Sequence, residues 1–241
     1  MATPERTVIG YLGGREARAP HFDALAALFP PGVELDTEPL SLWRDPPADP
    51  VQGENAYVES AIERALAHEW GALALTGTPN EVLYPGALAR IREAAGMPTT
   101  ASLAASVAAL HALGVGRTLL LTPFDAAMNR GVEALFAAAG IATVLPASGF
   151  GSIDEAGALG PDGVYAYTRD ALAAAPDVEG ICFQGARLDP VPLLDRLEGD
   201  LGKPVVASNT AMAWQLLSEL GQRHHIERGG RLFREWPPLR S

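Results

Sequence analysis

Short runs of apolar residues alternate along this chain with longer segments whose apolar residues recur at helical spacing. This pattern predicts parallel strands buried on both faces, with amphipathic helices between them. In the first half we expect strands at 8–12, 33–37, 72–75 and 99–101 and helices at 22–29, 55–70, 87–95 and 104–113. In the second half we expect strands at 118–122, 142–146, 180–183 and 205–208 and helices at 126–139, 163–175, 191–201 and 210–220. Such regular alternation is typical of an α/β protein.

The chain also repeats itself. GMPTTAS begins at Gly96 and GKPVVAS begins at Gly202, and each run opens a strand followed by a helix. Upstream, the strand-like segments ALALTG and GICFQG end at Gly77 and Gly185, and RTVI near the N-terminus has a counterpart in RTLL. Three matches at a similar offset indicate a duplicated α/β unit.

The duplication predicts two pseudo-symmetric, Rossmann-like halves with parallel sheets. We assign residues 1–114 and 206–241 to the first half and residues 115–205 to the second. Ligands of such folds bind at the carboxyl ends of the strands, so we expect the active site in the cleft between the halves. The proline-rich stretch 43–53 is expected to be a loop over this cleft, and the tail 221–241 to pack over the first half.

Composition and charge exclude several classes of protein. The net charge of −11 and the lack of a basic stripe argue against a nucleic-acid partner. No apolar run is long enough for a membrane span, and the N-terminal segment lacks the apolar core of a secretory signal, so we expect a cytoplasmic protein. The single cysteine, Cys182, and the adjacent His224 and His225 offer no metal cluster. We expect no cofactor, and homo-oligomer formation stays open.

Three motifs in this chain resemble those of a known family. They are DRLE (195–198) with LGKPVV (201–206), Ser208-Asn209 and Trp214; ALTGT (74–78); and TPF (122–124) with Asn129. The first resembles the second-half signature of the arylmalonate decarboxylase and maleate isomerase branch of the aspartate/glutamate racemase superfamily. The second resembles its first-half loop in the decarboxylase form. The third resembles a TPY segment whose tyrosine helps to bind a substrate carboxylate.

The resemblance implies chemistry at a carbon next to a carboxylate. In such enzymes two cysteines on opposite sides of the cleft exchange protons, or one attacks an alkene carbon, and N–H groups and hydroxyls stabilise the enediolate oxygens. Here Gly77 and Gly185 stand at the two cysteine positions, and Phe124 replaces the tyrosine. Cys182 lies inside a strand and is expected to be a small core residue. The resemblance therefore carries over the fold but not two-cysteine racemisation, and it does not support an isomerisation or decarboxylation that depends on a cysteine.

Polar residues around the two glycines are the candidates for the remaining chemistry. Candidate catalytic residues are Glu81, Tyr84 and Asp189. Candidate substrate-binding residues are Gly77, Thr78, Asn80, Phe124, Asn129, Gln184, Gly185 and Arg187. A buried Glu81 would have a raised pKa suited to proton transfer, and Arg187 could clamp a carboxylate through its planar fork.

Each candidate also has a structural interpretation. The two glycines could be tight turns after strands, and Glu81 a solvated loop carboxylate. Tyr84 could be a hydrophobic contact of the following helix, and Arg187 could form an exposed salt bridge with Asp189.

The residues and the resemblance together predict a small-carboxylate lyase or isomerase with an enolate or enediolate intermediate. Decarboxylation is favoured because it needs only one proton delivery. An elimination or hydration lyase using Glu81 or Asp189, and a binding protein without catalysis, are the alternatives.

Overall fold

The computed structural model describes residues 6–13, 21–40, 48–147 and 149–239. The strands are β1 (Thr7–Leu12), β2 (Val33–Glu38), β3 (Ala72–Leu75), β4 (Thr99–Ala101), β5 (Arg117–Leu121), β6 (Ala142–Val144), β7 (Gly180–Phe183) and β8 (Val205–Ala207). The helices are α1 (His21–Ala26), α2 (Pro50–Ala67), α3 (Thr78–Leu83), α4 (Ala87–Ala95), α5 (Ser102–Ala112), α6 (Ala126–Ala138), α7 (Ile153–Gly157), α8 (Gly160–Ala174), α9 (Leu194–Leu201), α10 (Ser208–Glu219) and α11 (Gly230–Glu235), with a 3₁₀ turn at Val191–Leu193. None of the helices in these ranges is long and apolar enough to cross a membrane.

The strands form two parallel four-stranded sheets with the same topology. Their orders are β2-β1-β3-β4 and β6-β5-β7-β8. Every pairing between neighbours is parallel. The predicted fold of two duplicated α/β halves is therefore confirmed. All of β8 pairs with β7, so the second sheet extends to Ala207 rather than ending at residue 205.

Side chains alternate across the first sheet between two hydrophobic clusters. Ile9 and Ala74 face a large cluster that continues into the second half. Leu73 and Leu75 face a smaller cluster, which α2 and α4 cover on the outer side of the sheet. Because successive side chains of a strand point to opposite faces, one face of the first sheet packs on the shared core and the other packs on the outer helices.

Two helices, α5 and α10, pack against each other between the halves. Helix α10 contacts β3 and β4 of the first sheet as well as β8 of the second. The Tyr11 hydroxyl donates to the carbonyl of Asn209 at 3.1 Å, and the Thr100 hydroxyl donates to Gln215 Oε1 at 2.7 Å. The halves therefore share one core, and the loops at the strand ends are held against each other.

The structure differs from the sequence prediction at two loops. No helix was predicted between residues 75 and 87, but α3 lies there, with Pro79 in its first turn. The stretch 43–53 was also predicted to be a loop, yet α2 begins at Pro50, where Asp49 accepts from the Val51 N–H at 2.9 Å. Proline in a first helical turn loses no hydrogen bond, so it does not end these helices. The rest of the expected cover, residues 43–47, lies outside the described residues.

Two carboxylates of the DRLE motif hold the C-terminal helix. Asp195 accepts from the N–H groups of Gly229 and Gly230, both at 3.1 Å. Glu198 accepts from the Arg231 N–H at 2.6 Å and from the Arg234 guanidinium at 3.0 Å. Helix α11 accordingly packs on α9, β8 and α10. The expectation that the tail packs over the first half is wrong for α11.

Replacing Glu198 with alanine is expected to destabilise the protein by about 2–4 kcal/mol. Glu198 is 6% exposed and also accepts from the Val205 N–H at 2.9 Å, so its loss leaves several donors without a partner. Urea denaturation measures the change. Glu235→Ala is the matched control, because Glu235 forms an exposed pair with Arg231 on one helix and should cost less than about 1 kcal/mol. Equal losses in both variants would contradict the assignment.

Candidate active site

The loops that follow β3 and β7 meet at the boundary of the two halves. Thr78, directly after Gly77, donates its hydroxyl proton to Oε1 of Gln184, which directly precedes Gly185, over 2.7 Å. Thr78 is 1% exposed and Gln184 is fully buried. The structure therefore brings together the two glycine loops that the duplication singled out.

A chain of hydrogen bonds fixes the orientation of Gln184. The Ser106 hydroxyl donates to the Ser102 carbonyl at 2.8 Å, so it can only accept from Gln184 Nε2, which lies 2.7 Å away. Gln184 Oε1 must then face Thr78 as the acceptor. The Thr78 hydroxyl therefore donates its proton to Gln184. Toward a ligand, the same hydroxyl can only accept a hydrogen bond.

The two glycines contribute backbone donors at this boundary. Gly77 has φ +99° and Gly185 has φ +92°, a region that favours glycine. Both are partly exposed, and within the described residues no group accepts from either N–H. These N–H groups are available to an anionic ligand.

Neighbouring side chains occupy the space where a side chain at either glycine would begin. A Cβ on Gly77 would lie 3.0 Å from Asn80 Nδ2. A Cβ on Gly185 would lie 2.8 Å from Pro123 Cδ and 3.0 Å from Phe124 Cζ. Asn80 and Phe124 thus fill both positions at which the resemblance places thiols.

Glu81 lies four residues after Gly77 and caps a helix of the shared core. Its two carboxylate oxygens accept from the N–H groups of Leu103, at 2.6 Å, and Ala104, at 3.0 Å, in the first turn of α5. Burial raises the pKa of Glu81 to about 7, against the lowering effect of these two N–H groups. Glu81 is therefore a helix cap that can also carry a proton near neutral pH.

A small cavity lies between Glu81 and Gly77. Its walls include Tyr57 and Tyr84, whose rings stack with centroids 5.4 Å apart, and Asn80. The Tyr84 hydroxyl and Asn80 Oδ1 are buried and have no hydrogen-bond partner. Burial also raises the pKa of Tyr84. We refer to this space as the Tyr84 cavity.

Asp189 is the counterpart of Glu81 in the second half, since it lies four residues after Gly185. One of its oxygens accepts from the Val191 N–H at 3.1 Å. Its other oxygen has no partner among the described residues. Burial raises the pKa of Asp189 to about 6. The duplicated loops thus carry two carboxyl groups at equivalent positions, both with a raised pKa.

Arg187 is exposed and its side chain lies beside Gly157 at the end of α7. It forms no ion pair with the described residues, so the structure does not contain the alternative salt bridge to Asp189.

Asn129 supports the loop after β5. Its Oδ1 accepts from the Thr122 hydroxyl at 2.5 Å, and its Nδ2 donates to the Phe124 carbonyl at 3.1 Å. These residues line a cavity of about 520 Å³ together with Arg130 and Tyr167. Both polar atoms of the Asn129 side chain therefore form hydrogen bonds within this loop. The contact of Asn129 with substrate stays a prediction.

Sequence reasoning missed two residues of this site, Ser106 and Tyr57. Ser106 follows Ser102 by one helical turn in an alanine-rich helix, and a hydroxyl pair at that spacing on a buried face was the available signal. Tyr57 lies in the predicted helix 55–70, where an aromatic residue on the apolar face gives no separate signal of a site.

Cys182 is expected to be dispensable. It is fully buried in β7, and burial raises the pKa of its thiol to about 12. Iodoacetamide should leave the native protein unmodified and label it only after unfolding, as mass spectrometry would show, and Cys182→Ser should keep its turnover. Rapid labelling of the native protein, with substrate protecting against it, would contradict this assignment.

The described residues also contain no cluster of three metal-ligating side chains.

Comparisons with known proteins agree with this architecture. A family model described as arylmalonate decarboxylase matches residues 61–233. The arylmalonate decarboxylase of Bordetella bronchiseptica is 29% identical in an alignment of 195 positions that covers 76% of this chain and 81% of that protein.

Solved structures share the fold. Unliganded arylmalonate decarboxylase has a TM-score of 0.79 at 23% identity, over 95% of this chain and 99% of that one. Nocardia farcinica maleate cis-trans isomerase with a covalently bound succinylcysteine intermediate has a TM-score of 0.75 at 20% identity, over 95% of this chain and 98% of that one.

Proposed function

Because the chain belongs to the arylmalonate decarboxylase family, we propose that it is a lyase that decarboxylates a small dicarboxylic acid through an enediolate. The observation that carries this proposal is the meeting of the Gly77 and Gly185 loops, each with an unpaired backbone N–H. Backbone donors held in a fixed position stabilise a developing oxyanion without reorganisation. An arylmalonate is the first substrate class to test.

The reaction breaks the bond between the α-carbon and one carboxylate, which leaves as CO₂. The bonding electrons move into the remaining carboxylate, so negative charge grows on its two oxygens. The N–H groups of Gly77 and Gly185 are suited to bind these oxygens. The Thr78 hydroxyl donates to an oxygen only after it leaves Gln184, which would expose an unpaired buried acceptor at a cost of about 1–3 kcal/mol. Backbone groups are therefore the main donors.

The α-carbon then needs a proton, and we assign its delivery to a carboxylic acid rather than to a thiol. The only cysteine is buried in β7 with its thiol pKa raised to about 12. Glu81 and Asp189 have pKa values of about 7 and 6, so each is partly protonated near neutral pH. We propose Glu81 as the donor, because it borders the cavity that reaches Gly77. No step needs a metal or an organic cofactor.

The absence of an accessible thiol argues against an isomerisation that passes through a covalent cysteine adduct. The Nocardia farcinica isomerase is described with a covalent succinylcysteine intermediate. The residues described in this chain offer no accessible cysteine for such an adduct.

Incubation with phenylmalonate, methylmalonate and maleate tests the proposal. We expect CO₂ release from at least one malonate, unchanged after dialysis against EDTA, and one solvent deuteron at the α-carbon of the product in D₂O. Conversion of maleate to fumarate would establish an isomerase instead, and water addition to maleate would favour the hydration alternative. Calorimetric binding of these acids without any turnover would identify a binding protein.

A further inference from the structure

The Tyr84 cavity contains two buried polar atoms without a partner. Tyr84 and Asn80 are each 3% exposed, and neither the Tyr84 hydroxyl nor Asn80 Oδ1 reaches a hydrogen-bonding group of the protein. A buried polar group left unpaired costs about 1–3 kcal/mol, so native proteins usually satisfy such groups with an ordered water.

The size and chemistry of this cavity fit a single water molecule. The volume in which the centre of a water molecule can lie is about 10 Å³, which is close to the smallest cavity that holds one water. A buried water needs two to four polar partners. Tyr84, Asn80 and Glu81 all line this space, and their side chains carry three such groups: a hydroxyl, an amide and a carboxyl.

The cavity also connects the two groups that proton delivery must join. Glu81, which accepts from the first turn of α5, and Gly77 both line it. Neither Tyr84 nor Asn80 can replace the acid itself, since a phenol with a raised pKa and an amide both hold their protons near neutral pH. They can orient a water between donor and substrate.

We propose that the Tyr84 cavity holds one water that passes a proton from Glu81 to the substrate α-carbon beside Gly77. This inference rests on the proposed function. The water O–H bond breaks as the new C–H bond forms, and the water regains a proton as the Glu81 O–H bond breaks. Glu81 is left as a carboxylate, which the N–H groups of Leu103 and Ala104 stabilise until solvent returns the proton.

Tyr84→Phe is the sharpest test, because it removes one hydroxyl and keeps the ring that stacks on Tyr57. On the best malonate substrate we expect kcat to fall 10- to 100-fold while KM changes less than twofold. The matched control is Tyr165→Phe, since Tyr165 lies on α8 and donates to Asp200 at the surface, and its kcat should not change. Crystal structures of both variants and the parent protein are expected to show the water in all but Tyr84→Phe.

The outcomes separate this inference from the proposed function. A parent protein that turns over no carboxylate would overturn both, whatever the cavity holds. A parent protein with turnover, and a Tyr84→Phe variant that matches it, would overturn the relay alone. A well-resolved parent crystal structure with a dry cavity would also overturn it. An equal fall in kcat for Tyr84→Phe and Tyr165→Phe would mean that the loss is not specific to the cavity.

Discussion

We expect Glu81→Gln to lower turnover by about two orders of magnitude or more, the usual size for the loss of a general acid. Glutamine has nearly the shape of glutamate but no proton to give. The loss of turnover is measured as the change in kcat on the best malonate substrate. Asp189→Asn is the matched control, because Asp189 occupies the equivalent position in the second half and also has a raised pKa. A larger loss in Asp189→Asn would move the proton donor to the other loop.

The pH dependence follows from the direction of the Glu81 shift. A general acid works only in its protonated form, so kcat should fall as the pH rises through about 7, and this fall should vanish in Glu81→Gln. The pKa of Glu81 in the folded protein lies above the ordinary glutamate value of about 4.5, so between these two values the native state binds a proton that the unfolded state has lost. Glu81 therefore makes folding less favourable as the pH rises from about 4.5 to 7.

A purely structural Glu81 would behave differently. Its oxygens accept from two N–H groups of α5, whereas glutamine would point an NH₂ group at one of them. Glu81→Gln would then lose stability in urea denaturation but keep near-native turnover. That result would leave Glu81 as a helix cap only and remove it from the proposed mechanism.

Gly185→Ala is expected to destabilise the protein by about 3 kcal/mol or more. A side chain at φ +92° costs about 1–3 kcal/mol, and overpacking a filled core adds about 1–3 kcal/mol. The new methyl group would lie 2.8 Å from the rigid Pro123 ring. Urea denaturation provides the measurement.

Gly202→Ala is the control that separates backbone strain from crowding. Gly202 has φ +68° at the end of α9, and nothing lies within 4 Å of a Cβ built there. We expect a loss of about 1–2 kcal/mol at that position. A double variant with Phe124→Leu should lose less than the sum of its single changes, because Phe124 is one of the crowding groups. Equal losses at Gly185 and Gly202 would show that the Gly185 position has room for a thiol.

The sequence predicted the fold well because strong local signals mark its elements. The boundaries of β3, β4 and β7 and of α4 agree with those expected, and α4 ends where Gly96 adopts φ +64°. The prediction failed at α3, since Gly77 and Pro79 together resemble a loop. A short helix of this kind depends on packing against α5 and α6 rather than on its own sequence.

The candidate site was only partly predictable. The duplication located the two glycine loops, and the position of Glu81 relative to Gly77 can be read from the chain. The partner of Gln184 cannot, because Ser106 lies 78 residues earlier and meets it only after α5 docks between the sheets. The acceptor of the Thr78 hydroxyl proton cannot be read from the sequence either, because it depends on the contact between Gln184 and Ser106. Which group donates and which accepts in such a site is decided by tertiary contacts.

The position of α10 also has a consequence for how the chain matures on the ribosome. The strands of the first sheet are complete once residue 101 has been made, but the helix that covers β3 and β4 begins at Ser208. At ordinary rates of synthesis this gap lasts on the order of 5–20 s. During that interval the nascent first half lacks the contacts of α10 with β3 and β4, so the part of its apolar sheet face that α10 covers stays exposed. The final packing of the two halves therefore waits until α10 has been synthesised.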